Sequence, residues 1–118
     1  MISKMRVSDK KLNASLKKQI RETFEQALID LKDRNELSTF LHDFFTESEI
    51  EAFSKRLAIA YWLKKKRSYS NIKDNLKVSS ATIASVQTQM DSKGLKLAIE
   101  KIEAEEWANQ WAEKIMGL

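Results

Sequence analysis

Chemistry in a protein starts from a few side-chain types, and this chain is sparing with them. It has one histidine, His42, and no cysteine. A lone histidine among Phe40, Phe44 and Phe45 reads as a packing or surface residue, since a ligand or a general base needs partners. Glu47, Glu49 and Glu51, and the pair Glu105 and Glu106, could be taken for catalytic carboxylates, but at these spacings on exposed helix faces they read as solvated charges. No nucleophile stands beside a base, no glycine-rich loop could cradle a phosphate, and no cluster has metal-ligand spacing. Neither an enzyme, a cofactor nor a metal is expected.

Cations are the residues whose spacing carries meaning. Residues 55–96 hold ten Lys/Arg and two acids, net +8, against −1 for residues 1–54 and −3 for residues 97–118. The whole chain carries only +4. A segment this basic attracts a polyanion. Lys64, Lys65, Lys66, Arg67, Lys73 and Lys77 surround a small, polar, acid-free run from Ser79 to Gln89. Phosphates would be met by these six cations and by the helix N-terminus at Ser79. Ser80, Ala81, Thr82 and Ser85 would face base edges, with a methyl contact available to Ala81.

Such residues need a frame, and the spacing predicts one. If Tyr69 opens a helix-turn-helix spanning 69–88, its inward positions are Ile72, Leu76, Val78, Ile83 and Val86, all aliphatic. Ser79 then precedes the second helix, where a hydroxyl caps free N–H groups. Two positions depart from the usual pattern: Lys73 stands where a small residue is common, and Lys77 takes the turn position that favours glycine, so it must accept a positive φ.

The rest of the chain also reads as helix. There is no proline and only two glycines, Gly94 and Gly117, among 118 residues, too few for the turns of a sheet. A first amphipathic helix is expected to start after Ser8 or Asp9, with Leu12, Leu16, Ile20, Phe24, Ala27, Leu28 and Leu31 as its stripe. Its break falls at Asn35. Phe40, Leu41, Phe44 and Phe45 mark a short second helix. Thr46 and Glu49 form a capping box. The helix that follows carries Ile50, Phe53, Leu57, Ala60 and Tyr61 on one side and ends in Lys64–Arg67. Residues 91–94 form a further break, with Gly94 as cap or turn. The last helix, about 95–116, shows two apolar faces, one with Ile99 and one with Trp107 and Trp111, and either kinks near Glu103–Glu106 or meets two partners. Trp107 and Trp111 read as an interface or core anchor, and Tyr61 and Trp62 as core. The division expected is one all-α domain over 1–118: an amphipathic arm (1–35), a core (36–94) and a C-terminal helix (95–118). The N-terminal MISKMRVSDKK lacks the apolar stretch of a signal peptide, no run is long enough to span a membrane, and the cytoplasm is the expected location.

From Phe40 to about Met90 the chain resembles the tryptophan repressor superfamily, and within it the uncharacterised tryptophan-repressor-like regulators. FLHDFFTESEIEAFSKRLAIAYWL and KKKRSYSNIKDNLKVSSATIASV carry the resemblance. It implies an intertwined homodimer with exchanged helices, Ser80, Ala81 and Thr82 near bases, and Lys73 near a phosphate. Base contacts in the tryptophan repressor are largely water-mediated, so a recognition helix without arginine is compatible with the resemblance. Of the two arginines that enclose tryptophan in that repressor, one falls on Arg56 and the other on Ser85. A glycine there is Val86 here, which would fill the pocket. Tryptophan binding is therefore not expected. The function expected is a sequence-specific regulator, a repressor by the resemblance, on a two-fold symmetric site in double-stranded DNA. The alternative is a helical protein-interaction module, an adaptor or inhibitor, using Trp107 and Trp111.

Overall fold

A computed structural model describes residues 11–116. The start expected after Ser8 or Asp9, the signal-peptide reading of the first residues and Gly117 lie outside them. Six helices occur among the described residues: α1 (Ala14–Asp30), α2 (Arg34–Phe44), α3 (Glu47–Lys64), α4 (Tyr69–Leu76), α5 (Ser80–Gln87) and α6 (Lys93–Met116). No strand accompanies them there, and the all-α reading holds.

Local chemistry explains the boundaries. α1 begins later than the stripe suggested, because the Asn13 side chain accepts from Ser15 N (2.8 Å) and Leu16 N (3.3 Å). Leu12 therefore precedes the helix and is not part of its face. The next break is Leu31–Asp33, not Asn35. Asp33 accepts from Glu36 N at 2.9 Å, and Asn35 sits in the first turn of α2. A short acceptor one residue before a helical run outcompetes one inside it. The capping box forms as expected: Glu49 N donates to Thr46 Oγ1 (3.1 Å), and Thr46 N donates to Glu49 Oε1 (2.9 Å). Gly94 is neither cap nor turn. Lys96 N donates to Ser92 O at 3.1 Å, so α6 starts at Lys93 and takes Gly94 into its first turn. α6 then runs to Met116 as one helix.

Two compact units result, one reaching to Ala52 and one starting at Phe53. In the first, α1 and α2 meet through rings: Phe24 lies 6.0 Å from Phe44, which stacks on Phe40 at 5.0 Å and meets Phe45 edge-on at 5.3 Å. None of the described residues of this unit is buried.

The second unit holds the core: Ile59, Ala60, Ile72, Ile83, Val86 and Ile99, with Tyr61, Trp62, Leu63, Leu76, Val78, Met90 and Leu95 packed against it. Ile59, Ile72 and Ile83 are fully covered, each worth roughly 1.5–3 kcal/mol of transfer free energy. Here the expected face of α3 needs correcting. Its apolar residues wrap the helix, and the Ile59–Ala60 side enters the core. Phe53 and Leu57 remain exposed.

Candidate nucleic-acid interface

α4 and α5 pack as the spacing predicted. Ile72, Ile83 and Val86 are buried, and Leu76 and Val78 close the edges. The linker into α4 is shaped by residues that look purely electrostatic in the sequence. Lys66 adopts φ 66°; Lys66 N donates to Leu63 O (3.0 Å) and Arg67 N to Trp62 O (3.1 Å). That is a Schellman ending with lysine in the place glycine favours. Ser68 then caps α4, accepting from Asn71 N at 3.1 Å. Lys77 ends α4 at φ 56°, ψ 51°, its N–H bonded to Lys73 O at 3.0 Å. The positive φ expected there is present, and it turns the chain into α5.

Ser79 caps α5: its Oγ accepts from Thr82 N at 3.1 Å and lies 2.9 Å from Thr82 Oγ1. Its hydroxyl thereby satisfies an N–H that a helix start leaves open. Ser80, Ala81, Thr82 and Ser85 are all exposed on one side of α5, opposite buried Ile83 and Val86.

The six cations divide into two groups. Lys64 Nζ lies 3.9 Å from Glu103. Lys65 Nζ lies 3.7 Å from both Glu103 and Glu106. The Tyr61 hydroxyl donates to Glu106, and Lys65 stands over the Tyr61 ring at 5.3 Å. Tyr61 is raised above its ordinary pKa by the hydrogen bond to Glu106, by burial and by that carboxylate's charge. For Lys65, burial pulls downward, but Glu106, Tyr61 and Glu103 outweigh it and leave the amine raised. Arg67 is also occupied: its guanidinium lies 4.1 Å from the Trp62 ring and donates to Asn71 Oδ1 at 3.3 Å. Lys66, Lys73 and Lys77 make no ion pair among the described residues and stand exposed at the two ends of α4. The sequence reading missed the hold of α6 on Lys64 and Lys65; its one signal was the acidic balance after residue 97.

Arg56 lines an open cleft of about 310 Å³ with Ala81, Thr82, Ser85, Val86 and Gln89. A neighbouring cleft of about 220 Å³ shares Arg56, Val86 and Gln89. Val86 was expected to fill this space. It is instead drawn into the core at 5% exposure and forms a wall, leaving the cleft open.

A family model described as Trp repressor protein matches residues 18–103. The chain belongs to the Trp repressor family. A solved structure, a TrpR-like protein from Eubacterium eligens, is 32% identical, with TM-score 0.70, covering 77% of this chain and 96% of that one. Among curated proteins, none matched. The family match spans the whole α4–turn–α5 unit. Among the described residues, no helix is long and apolar enough to cross a membrane.

Proposed function

We propose that this protein is a cytoplasmic, sequence-specific DNA-binding transcriptional regulator, acting as a homodimer on a two-fold symmetric duplex site. The observation that carries the reading is the outer face of α5. Ser80, Ala81, Thr82 and Ser85 are exposed and acid-free, on a helix held by buried Ile83 and Val86, with unpaired Lys73 and Lys77 at its edge. Base edges would meet α5, and phosphates would meet Lys66, Lys73, Lys77 and the N-terminus of α5. What supports a second copy is the first unit, whose described residues bury nothing on their own. In a dimer the two α5 helices would stand roughly 34 Å apart, one turn of DNA.

The Arg56 cleft is not a tryptophan site on this reading. One guanidinium remains of the two that enclose the ligand in the family's namesake, and Ser85 cannot stack on an indole. Calorimetry is expected to show no micromolar binding of tryptophan.

Selection of duplex DNA from a random pool, with anisotropy at several salt concentrations, tests the main proposal. The expected result is enrichment of an inverted repeat and an affinity that falls steeply with salt. Lys73→Glu with Lys77→Glu should weaken binding to every sequence, whereas Thr82→Ala should change which sequence is preferred. Loss of neither property would refute the assigned face.

A further inference from the structure

Besides the Arg56 cleft, the unit from Phe53 onward holds a separate cavity of about 320 Å³. The two share no residue, and they lie on opposite flanks of α5. Thr82 and Ser85 border the Arg56 cleft. Gln87, carried by the helical step to the other side of buried Ile83 and Val86, borders the second cavity. The end of α3 and the first turns of α6 supply the remaining walls.

An apolar side and a charged rim divide this space. Leu63, Met90 and Ile99 form the apolar side; Ile99 is 3% exposed, and the other two pack against the core. Lys64, Lys66 and Lys96 stand at the rim with Asp91 and Glu100, all of them exposed. Lys64 leans toward Glu103 at 3.9 Å, a carboxylate it shares with Lys65. Lys66, Lys96, Asp91 and Glu100 make no ion pair among the described residues. Charges of both signs thus line one space without closing on each other. Their backbone is held in place beforehand, which lowers the cost of binding. The Schellman ending of α3 fixes the chain at Lys66. The turn at Asp91 is tied by Ser92, whose N–H and hydroxyl donate to Gln89 O at 2.9 and 2.7 Å.

The rim states the chemistry of an occupant. Three lysines against two acids leave it at net +1, so a monoanion is complementary. Ammonium groups only donate, and they suit a carboxylate. Asp91 and Glu100 only accept, so the group beside that carboxylate must donate. A hydroxyl does so without adding charge. The volume lies at the small end of ligand sites, which run from about 300 to 1,000 Å³. We propose that this cavity binds a small apolar hydroxy acid. Its carboxylate meets Lys66 and Lys96, its hydroxyl meets Asp91 or Glu100, and its apolar body lies on Leu63, Met90 and Ile99.

Phenyllactate carries all three parts. Titrated into the full chain, with backbone amide signals followed by nuclear magnetic resonance, it is expected to saturate with a Kd of about 1 mM. The shifts should centre on Lys66, Met90 and Asp91. Shifts centred on Ser85 and Gln89 place the acid in the Arg56 cleft and overturn the proposal, as does the absence of saturable shifts. Hydrocinnamate, which lacks the hydroxyl, should bind about tenfold more weakly, and phenethylamine, which lacks the acid, should not bind. Lys66→Gln with Lys96→Gln should weaken phenyllactate binding about tenfold at an unchanged melting temperature. Asp91→Ala with Glu100→Ala should erase the preference for phenyllactate over hydrocinnamate, which a merely structural role for the two acids would not do. Equal affinity for both acids in the natural chain, or undiminished binding in the double lysine variant, overturns the site. None of these measurements contains DNA, so their failure leaves the DNA-binding reading standing.

Discussion

Lys77 makes the cost of a single residue measurable. A side chain with Cβ held in the left-handed region is disfavoured by about 1–2 kcal/mol, and φ 56° places Lys77 there. Lys77→Gly should therefore raise the unfolding free energy by about 1 kcal/mol, read from the urea midpoint. The same change removes a cation, so the slope of log affinity against log salt for DNA should fall by about 1. Opposite signs in the two assays separate the backbone role from the charge. Tyr61 gives a second residue-scale test. Its hydrogen bond to Glu106 raises its pKa above 10.0, so the folded chain keeps a proton that the unfolded chain releases. The associated stability is present below about pH 10 and is lost as pH rises through the raised value. In a Tyr69→Phe background, alkaline absorbance titration should find Tyr61 ionising late, and Glu106→Gln should bring it back toward the ordinary value.

Helix boundaries at the element scale show what the sequence could convey. The α4–turn–α5 unit was legible because five aliphatic positions and a serine cap all point to one geometry, and local and tertiary preferences agree. The starts of α1, α2 and α6 were misplaced, since several acceptors stood near the first two starts and the spacing alone did not rank Asn13 and Asp33 above their neighbours, while Ser92 before α6 spends its hydroxyl on Gln89 O. Gly94 was misread for a related reason: glycine suggests a turn, yet a Cβ there would meet nothing within 4 Å. Gly94→Ala should stabilise α6 by about 0.5–1 kcal/mol, seen as a higher melting temperature. Burial on α3 was illegible because apolar residues surround the helix. The pairing of Lys64 and Lys65 with Glu103 and Glu106 was illegible because the partners lie far along the chain. If the proposed DNA-binding role holds, those acids would compete with phosphate for the two lysines. Glu103→Gln with Glu106→Gln should tighten DNA binding and steepen its salt dependence by up to about 2 in slope, an effect that the binding isotherms would report.

For the molecule as a whole, the deciding contrast lies between its two units. From Phe53 onward six residues are buried, three of them isoleucines at 0% exposure. Among the described residues up to Ala52, none is. The proposed homodimer, by supplying the missing cover, would couple folding to association, and the melting temperature should then rise with protein concentration. A melting temperature independent of concentration over a hundredfold range, in a chain that remains dimeric, would show that the two processes are separate.

The same contrast bears on how the protein is made. The N-terminal half leaves the ribosome first, and its stripe of Leu16, Ile20 and Phe24 has no core of its own to enter. At about 5–20 residues per second, residues 53–118 need about 3–13 s to follow. During that interval each nascent chain displays an apolar surface to its surroundings. Neighbouring ribosomes on one message display the same surface a short distance away. Under the proposed homodimer, two subunits begun on the same transcript would have the opportunity to meet before either is finished.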